Sequence, residues 1–234
     1  MMINLNAIKS QHKRVFLITG ANSGLGYETS KFILEKGGTV IMCCRDLLKG
    51  KRAKEELLKL KPPGNIELLE LDLSDLTKVK NFAELVKNKF NYLDVLINNA
   101  GIMAPPKTFS EQGFEIQFAV NHLAHMFLTL ELLPMLNGKK RSRVVTVTSG
   151  VQYFGKIKWN DLQGKHKYDR WAFYAQSKLA NVMFGLELNS KLIENNSKIV
   201  SLLAHPGFAR TNLQPKSVEA NNSWQEGLAY KLMD

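Results

Sequence analysis

A glycine-rich segment directly after an apolar run most constrains what this chain can fold into. Residues 19–26 read Thr-Gly-Ala-Asn-Ser-Gly-Leu-Gly, and a helical pattern continues from there to Lys36. Strand, glycine turn and helix form the context in which such a loop binds a dinucleotide. Gly20 suits the tight turn, Gly24 allows close approach of a pyrophosphate, and Gly26 allows the helix to pack on the strand. The N–H groups at the helix start then favour phosphate.

Apolar runs of strand length alternate with helical patterns along the chain. Little polar alternation within the runs indicates strands buried on both faces. The predicted strands are Arg14–Thr19, Thr39–Cys44, Ile66–Leu71, Leu93–Ile97, Arg143–Thr148 and Lys198–Leu203, and the predicted helices are Leu25–Lys36, Leu47–Leu60, Leu76–Lys89, Glu111–Leu136 and Trp171–Asn195. This order predicts an α/β fold, a Rossmann-like doubly wound parallel sheet with helices on both faces, in one domain over residues 1–234.

The composition excludes several classes of protein. The net charge is +11, but the lysines are spread over the whole chain, so we expect a solvated surface and no specific nucleic-acid partner. No apolar run approaches the roughly 18 residues of a membrane span, and the first residues lack a signal-peptide core. Cys43 and Cys44 are adjacent in a predicted strand and point to opposite faces, which indicates buried thiols. We therefore predict a cytoplasmic protein without a membrane span.

The end of the second predicted strand bears on the choice of cofactor. An acidic residue there binds the adenosine ribose hydroxyls and favours NAD. Here the strand ends in Cys43-Cys44-Arg45-Asp46, and the donors of Arg45 suit a ribose phosphate. We therefore predict NADP(H) in preference to NAD(H). Two alternatives stay open: Arg45 faces water while Asp46 caps the next helix, or Asp46 reaches the ribose.

A tyrosine and a lysine four residues apart, Tyr174 and Lys178, share one face of the last predicted helix. A nearby ammonium favours the phenolate, so Tyr174 can exchange a proton with an alcohol or carbonyl oxygen. Ser149 ends a predicted strand, where such a sheet has its ligand crevice, and its hydroxyl can hold the same oxygen. Tyr27 and Lys31 have the same spacing, but they lie on a helix where we expect a solvated face.

Four further segments each have an ordinary structural interpretation as well as a functional one. Asp72 or Ser74 can cap the helix at Leu76, and the run Asn98-Asn99-Ala100-Gly101 can be a plain turn. Asn121 can be a buried amide, and His205-Pro206-Gly207 can be a loop. Their joint occurrence in this order favours function.

Together these motifs resemble the short-chain dehydrogenase/reductase family, from about Lys13 to Thr211. The Cys-Arg-Asp after the second strand, Asn160-Asp161-Leu162-Gln163 and Ser177-Lys178-Leu179-Ala180-Asn181 resemble its retinol-dehydrogenase-like branch. The resemblance implies an enzyme that interconverts apolar alcohols and their carbonyl compounds with NADP(H) by hydride transfer. A non-catalytic nucleotide-binding sensor or scaffold is the alternative.

The resemblance also implies the role of each site residue. Tyr174 is the general acid/base, Lys178 lowers its pKa and holds the nicotinamide ribose, Ser149 orients the substrate oxygen, and Asn121 fixes a proton-relaying water. The expected cofactor contacts are Gly20, Asn22, Ser23, Gly24, Leu25, Gly26, Arg45, Asp72, Leu73, Asn98, Ala100, Gly101, Tyr174, Lys178, Pro206, Gly207 and Thr211. No metal is expected, because His122 and His125 have no carboxylate or cysteine partner at ligand spacing.

The C-terminal region departs from the family pattern. The family's sheet has a seventh strand after the substrate loop, whereas this sequence ends at Asp234, inside what resembles that loop. We expect a sheet without the seventh strand and a partial apolar lid over residues 214–234. The family's oligomers often use the region beyond, so a homo-oligomer is a possibility that the sequence leaves open.

Overall fold

The computed structural model describes residues 7–136 and 142–207, and within them a single six-stranded sheet organises the chain. The strand order is β3-β2-β1-β4-β5-β6, and every neighbouring pair is parallel. The strands are β1 (Val15–Thr19), β2 (Thr39–Cys44), β3 (Asn65–Glu70), β4 (Val95–Asn98), β5 (Arg143–Val147) and β6 (Val200–Ala204). The predicted Rossmann-like, doubly wound parallel sheet is confirmed.

The helices cover both faces of this sheet. They are α1 (Gly24–Glu35), α2 (Leu47–Lys59), α3 (Leu76–Lys89), α4 (Ile116–Phe118), α5 (Ala124–Leu136) and α6 (Arg170–Glu194). One apolar cluster joins the sheet to α1 and α2, and the other joins it to α3, α5 and α6. Within β1, Leu17 belongs to the second cluster and Ile18 to the first, as expected for neighbours that point to opposite faces.

The predicted helix Glu111–Leu136 is wrong in two respects: it begins later, and it is not a regular α-helix throughout. Residues 111–115 form an irregular segment with an isolated bridge between Phe109 and Glu115. The helix starts with α4, widens into a π-helical turn at Ala119–Leu123, and continues as α5. Glu115 ends the irregular segment because its carboxylate accepts the N–H of Phe118, 2.7 Å away, at the helix start.

The direction in which successive strands are added to the sheet changes between β1 and β4. Strands β2 and β3 follow on one side of β1, and β4, β5 and β6 follow on the other. A crevice opens beyond the carboxyl ends of the strands at such a point, and ligands of open α/β sheets bind there. The loops after β1, β2, β4 and β5 therefore share one cleft.

No helix in the described part of the chain is both long enough and apolar enough to cross a membrane. The seventh strand, the lid over residues 214–234 and the site residue Thr211 concern residues 208–234, which lie outside the described residues.

Candidate active site

A cleft of about 470 Å³ lies over the carboxyl ends of the strands. It brings together loops that are far apart in the sequence. Most of the predicted site residues line it: Gly20, Asn22, Ser23, Gly24, Leu25, Arg45, Asp72, Leu73, Ala100, Gly101, Ser149, Tyr174, Lys178, Pro206 and Gly207. The same space is also lined by Asn99, Ile102, Met103, Ile116 and Val120.

The glycine loop is shaped so that side chains would not fit. Gly20 has φ of +65°, and a Cβ there would lie 2.9 Å from the Ala100 backbone. A Cβ on Gly26 would lie 2.5 Å from both the Gly20 carbonyl oxygen and the Asn99 side chain. Gly26 does not line the cleft, so its contribution is the close packing of α1 against the turn. Gly20 thus permits the tight turn against Ala100, and Gly26 permits the close approach of α1 to that turn.

The N-terminus of α1 differs from those of the other long helices. Asp46, Asp75 and Asp169 accept N–H groups at the starts of α2, α3 and α6. The N-cap of α1 is Ser23, whose side chain makes no capping bond, and no acidic residue lies in the first turn. Because Ser23, Gly24 and Leu25 line the cleft, the helix presents its N–H groups and positive dipole end to it. This arrangement fits a dinucleotide pyrophosphate.

At the end of β2, Arg45 and Lys49 both line the cleft. Asp46 caps α2 by accepting the Lys49 N–H at 3.0 Å, and its other oxygen lies 3.5 Å from the Lys49 ammonium. The two roles left open for Asp46 are thus compatible with each other, since the capping carboxylate also borders the cleft. Lys49 was not anticipated; it lies in the first turn of α2, directly after the segment Arg45-Asp46.

Asp72, which lines the cleft after β3, forms a local turn. Its carboxylate accepts both the N–H and the hydroxyl of Ser74, at 3.0 and 2.6 Å, and pairs with Lys78 at 3.3 Å. The cap of α3 is neither Asp72 nor Ser74 but Asp75, which accepts the N–H of Thr77. The cap that the sequence offered at Asp72 or Ser74 is wrong, because Asp75, with extended backbone directly before the helix, takes that position.

Ser149, Tyr174 and Lys178 converge on the cleft. The Ser149 side chain is a hydrogen-bond partner of the Tyr174 phenol. The Lys178 ammonium lies 5.8 Å from the centre of the Tyr174 ring and donates to the carbonyl of Val147 at 3.3 Å. Tyr174 and Lys178 are each 5% exposed, so their polar ends are shielded from bulk solvent.

Burial sets the protonation of these groups. It raises the pKa of Tyr174, and the hydrogen bond with Ser149 opposes that rise. It lowers the pKa of Lys178 from 10.5 to about 8. The expected lowering of the Tyr174 pKa is therefore not seen, because desolvation dominates and only the hydrogen bond with Ser149 opposes it. The phenol keeps its proton at neutral pH.

Asn121 lies in the π-helical turn, a feature often found at functional sites. Its amide accepts the Ile102 N–H at 2.8 Å and donates to the Ile102 carbonyl and to the Ser177 hydroxyl, both at 3.0 Å. The residue is fully buried and does not itself line the cleft. Its side chain thus holds the chain segment at Ile102 against α6, the helix that also bears Tyr174.

His125 connects the π-helical turn to the glycine loop. Its Nδ1 lies 3.1 Å from the Asn121 carbonyl, which can only accept, so Nδ1 carries the proton. Nε2 then accepts from the Thr19 hydroxyl at 2.9 Å. Thr19 in turn accepts the N–H groups of Asn99 and Ala100. Burial lowers the pKa of His125 to about 4, which keeps this neutral arrangement in place.

Replacing His125 with phenylalanine should lower the free energy of unfolding by about 1–3 kcal/mol at pH 7, because two buried polar partners lose a hydrogen bond. Between pH 6.5 and about 4, His125 binds a proton in the unfolded state but not in the folded state. The wild-type free energy of unfolding therefore falls as the pH is lowered through this range. The variant has no such loss. Urea unfolding should therefore show a smaller difference in free energy of unfolding between wild type and variant at pH 5 than at pH 7. His166→Phe, at an exposed loop position, is the control. Equal stabilities at pH 7 would contradict the assignment.

His122 makes a structural contact, with Nδ1 3.2 Å from the Asn181 amide oxygen. Over residues 7–136 and 142–207, no three histidine, cysteine or acidic side chains are grouped as a metal site would require. Cys43 and Cys44 are buried free thiols.

Asn98, like Gly26, is a predicted cofactor contact that does not line the cleft. It is 2% exposed and donates to the Thr129 hydroxyl on α5 at 2.8 Å. As the last residue of β4 it points into the helix layer, and its neighbours Asn99, Ala100 and Gly101 form the cleft surface. Ile116 and Val120 were not anticipated, although their i, i+4 spacing is a signal for one apolar face.

Comparison with known proteins agrees with this geometry. The family model described as short chain dehydrogenase matches residues 14–222. Mouse retinol dehydrogenase 14 is 42% identical over 212 residues, and human retinol dehydrogenase 12 is 40% identical over 200 residues. Both alignments cover 86% of this chain and 63% of the relative, so the chain spans less than two thirds of their length.

Solved structures share the fold. An uncharacterized protein from Mycobacterium paratuberculosis superposes with a TM-score of 0.80 at 41% identity, covering 97% of this chain and 80% of that one. A short-chain dehydrogenase from Sphingobium yanoikuyae in complex with NADPH has a TM-score of 0.70 at 20% identity, covering 87% and 74%. On the sequence match, the fold and the convergence of Ser149, Tyr174 and Lys178, the chain belongs to the short-chain dehydrogenase family, and the curated relatives that it resembles are named retinol dehydrogenases.

Proposed function

We propose that this protein is an NADP(H)-dependent oxidoreductase that interconverts an apolar alcohol and its carbonyl compound. The observation that carries the proposal is the meeting of Ser149, Tyr174 and Lys178 at a cleft whose other end has the open glycine loop and Arg45. When bound, the nicotinamide cofactor supplies or accepts the hydride exchanged with the substrate carbon. We infer one catalytic domain, and the two buried thiols support a reducing compartment such as the cytoplasm.

The protein residues have separable tasks in this proposal. The glycine loop and the start of α1 hold the pyrophosphate, and Arg45 with Lys49 receives the ribose phosphate. Ser149 holds the substrate oxygen against the Tyr174 hydroxyl. In the reduction direction Tyr174 donates its proton to the carbonyl oxygen, and the Lys178 ammonium stabilises the phenolate that remains. In oxidation the same phenolate accepts the alcohol proton.

The substrate class is supported by the apolar residues that line the cleft. We call Ile102, Met103, Pro105, Ile116 and Val120 the apolar wall. An apolar substrate gains from displacing water there. The relatives named retinol dehydrogenases support the same class, an apolar alcohol or aldehyde.

Arg45→Ala should reduce the preference for NADPH over NADH by about 10- to 100-fold, because a guanidinium–phosphate contact is worth about 1.5–3 kcal/mol. Dissociation constants of both cofactors, measured by titration calorimetry, check this. Arg52→Ala removes the same charge from an exposed position on α2 away from the cleft and serves as the control. Equal affinity of the wild type for the two cofactors would end the claim of NADP preference.

A panel of apolar aldehydes and ketones with NADPH tests the activity itself. Turnover of at least one compound by the wild type, and its loss in Tyr174→Phe, would support an oxidoreductase. Cofactor binding without turnover across the panel would favour the alternative, a nucleotide-binding sensor or scaffold.

A further inference from the structure

The substrate side of the cleft is built from irregular chain. Between β4 and α4, residues 99–115 have only the isolated bridge of Phe109 with Glu115. Three residues of the apolar wall, Ile102, Met103 and Pro105, belong to this stretch, whereas Ile116 and Val120 lie in helical turns. Backbone bonds of a helix or sheet do not fix the irregular part of the wall, so its shape depends on other contacts.

Gln117, which is fully buried, provides the first set of those contacts. Its amide oxygen accepts the N–H of Ala104 at 2.8 Å. Its amide nitrogen donates to the Arg170 carbonyl at 2.9 Å and to the Tyr168 hydroxyl at 3.1 Å. Ala104 is itself buried with φ of +45°, a conformation that a non-glycine residue adopts only when its surroundings impose it. Gln117 thus pins the strained residue at the centre of the wall.

Glu115 and Tyr168 complete the arrangement. The Tyr168 hydroxyl donates to one oxygen of the buried Glu115 carboxyl group at 3.0 Å. Burial and the charge of Glu115 raise the pKa of Tyr168, so the phenol keeps the proton that it donates. The other Glu115 oxygen accepts the Phe118 N–H, and the Glu115 N–H donates to the Gln163 side chain at 2.6 Å. We call Glu115, Gln117 and Tyr168 the polar clamp.

The polar clamp connects the irregular part of the apolar wall to the two helical segments that bear Asn121 and Tyr174. Gln117 lies one helical turn before Asn121, and Arg170 lies one turn before Tyr174. The clamp therefore joins three parts of the site: the wall at Ala104, the helix that bears Asn121, and the start of the helix that bears Tyr174. A change in the clamp shifts the wall relative to the tyrosine hydroxyl.

We propose that Glu115, Gln117 and Tyr168 are positioning residues that set the width of the substrate side of the cleft and so determine selectivity for long apolar substrates. The inference rests on the proposed oxidoreductase function for its kinetic test. None of the three residues lines the cleft, and they act through the backbone of Ala104 and Arg170. The cofactor end of the cleft does not depend on them.

Tyr168→Phe is the sharpest variant, because it removes one hydroxyl and keeps the ring that packs on Phe173 at 4.8 Å. With NADPH, kcat/KM for decanal should fall about tenfold, mostly through KM, while that for propanal changes less than about twofold. The dissociation constant of NADPH should stay within about twofold. Tyr92→Phe is the matched control, since it removes a hydroxyl bonded to the Lys13 carbonyl at 3.0 Å, away from the cleft.

Amide hydrogen exchange provides a readout that does not need activity. In Tyr168→Phe, peptides over residues 102–109 should exchange at least about tenfold faster, and those over residues 15–26 should be unchanged. Gln117→Met, which removes the bond to Ala104 directly, should show the same local effect more strongly.

Unchanged exchange at residues 102–109 together with unchanged selectivity would overturn the inference. Equal acceleration of exchange in both regions would also overturn it, since the clamp would then be a general stabilising feature. If the wild type reduces neither aldehyde, the proposed function fails for these substrates, and the exchange measurement alone decides on the clamp.

Discussion

Tyr174→Phe should lower turnover by at least ~1,000-fold, because the variant has no proton to exchange with the substrate oxygen. The ring remains in place, since Tyr174 is buried and packs edge-on against Trp171 at 6.3 Å. Loss of one hydroxyl and its bond with Ser149 costs about 1 kcal/mol of stability, too little to unfold a domain. The loss of turnover therefore reports on chemistry.

Two measurements make this prediction specific. The dissociation constant of NADPH should change less than about threefold, since the glycine loop and Arg45 are untouched. Tyr27→Phe is the control, because Tyr27 also precedes a lysine by four residues but does not line the cleft. Retained turnover in the Tyr174 variant would refute its role as general acid/base, and equal loss in the Tyr27 variant would show that the assay responds to packing.

The comparison of these two tyrosines shows what the sequence could predict. The i, i+4 spacing of a tyrosine and a lysine is identical in both pairs, so spacing alone cannot select one. Ser149, at the end of another strand, selects Tyr174 because parallel strands bring their carboxyl ends to one edge. The parallel sheet and the glycine loop were predictable because apolar runs and glycines report on burial and backbone geometry directly.

Features that depend on competing side chains were not predictable. Asp72 and Ser74 were the sequence's candidates for the cap of α3, but Asp75 provides it, with the Gln112 amide on its carboxylate. The side chain of Asn121, in the π-helical turn, bonds Ile102 and Ser177, which are distant in sequence. Likewise, the pKa of Tyr174 depends on the depth of its burial, which the number of residues between it and Lys178 does not reveal.

Lys178→Met should abolish measurable turnover and, unusually for a site substitution, stabilise the protein. Burial lowers the pKa of Lys178 from 10.5 to about 8, which corresponds to a cost of about 3 kcal/mol for keeping the ammonium in the fold below pH 8. Methionine has a similar length and no charge to desolvate. Its gain is offset by loss of the 3.3 Å hydrogen bond to Val147, worth about 1 kcal/mol. We expect a net gain of about 1–3 kcal/mol at pH 7.

The pH dependence identifies the cause of this gain. Above pH 8 folded Lys178 loses its proton while the unfolded lysine keeps it up to pH 10.5, so wild-type stability rises across that interval. The advantage of Lys178→Met, measured by urea unfolding, should therefore shrink between pH 7 and pH 10. Lys31→Met is the matched control, since Lys31 also follows a tyrosine by four residues on a helix but does not line the cleft. It should change the free energy of unfolding by no more than about 0.5 kcal/mol.

A Lys178 variant that is less stable than the wild type at pH 7 would mean that the ammonium contributes to folding as well as to catalysis. A stabilised variant without turnover would mean that the ammonium is retained for its effect on the Tyr174 phenolate, at a cost to the stability of the fold.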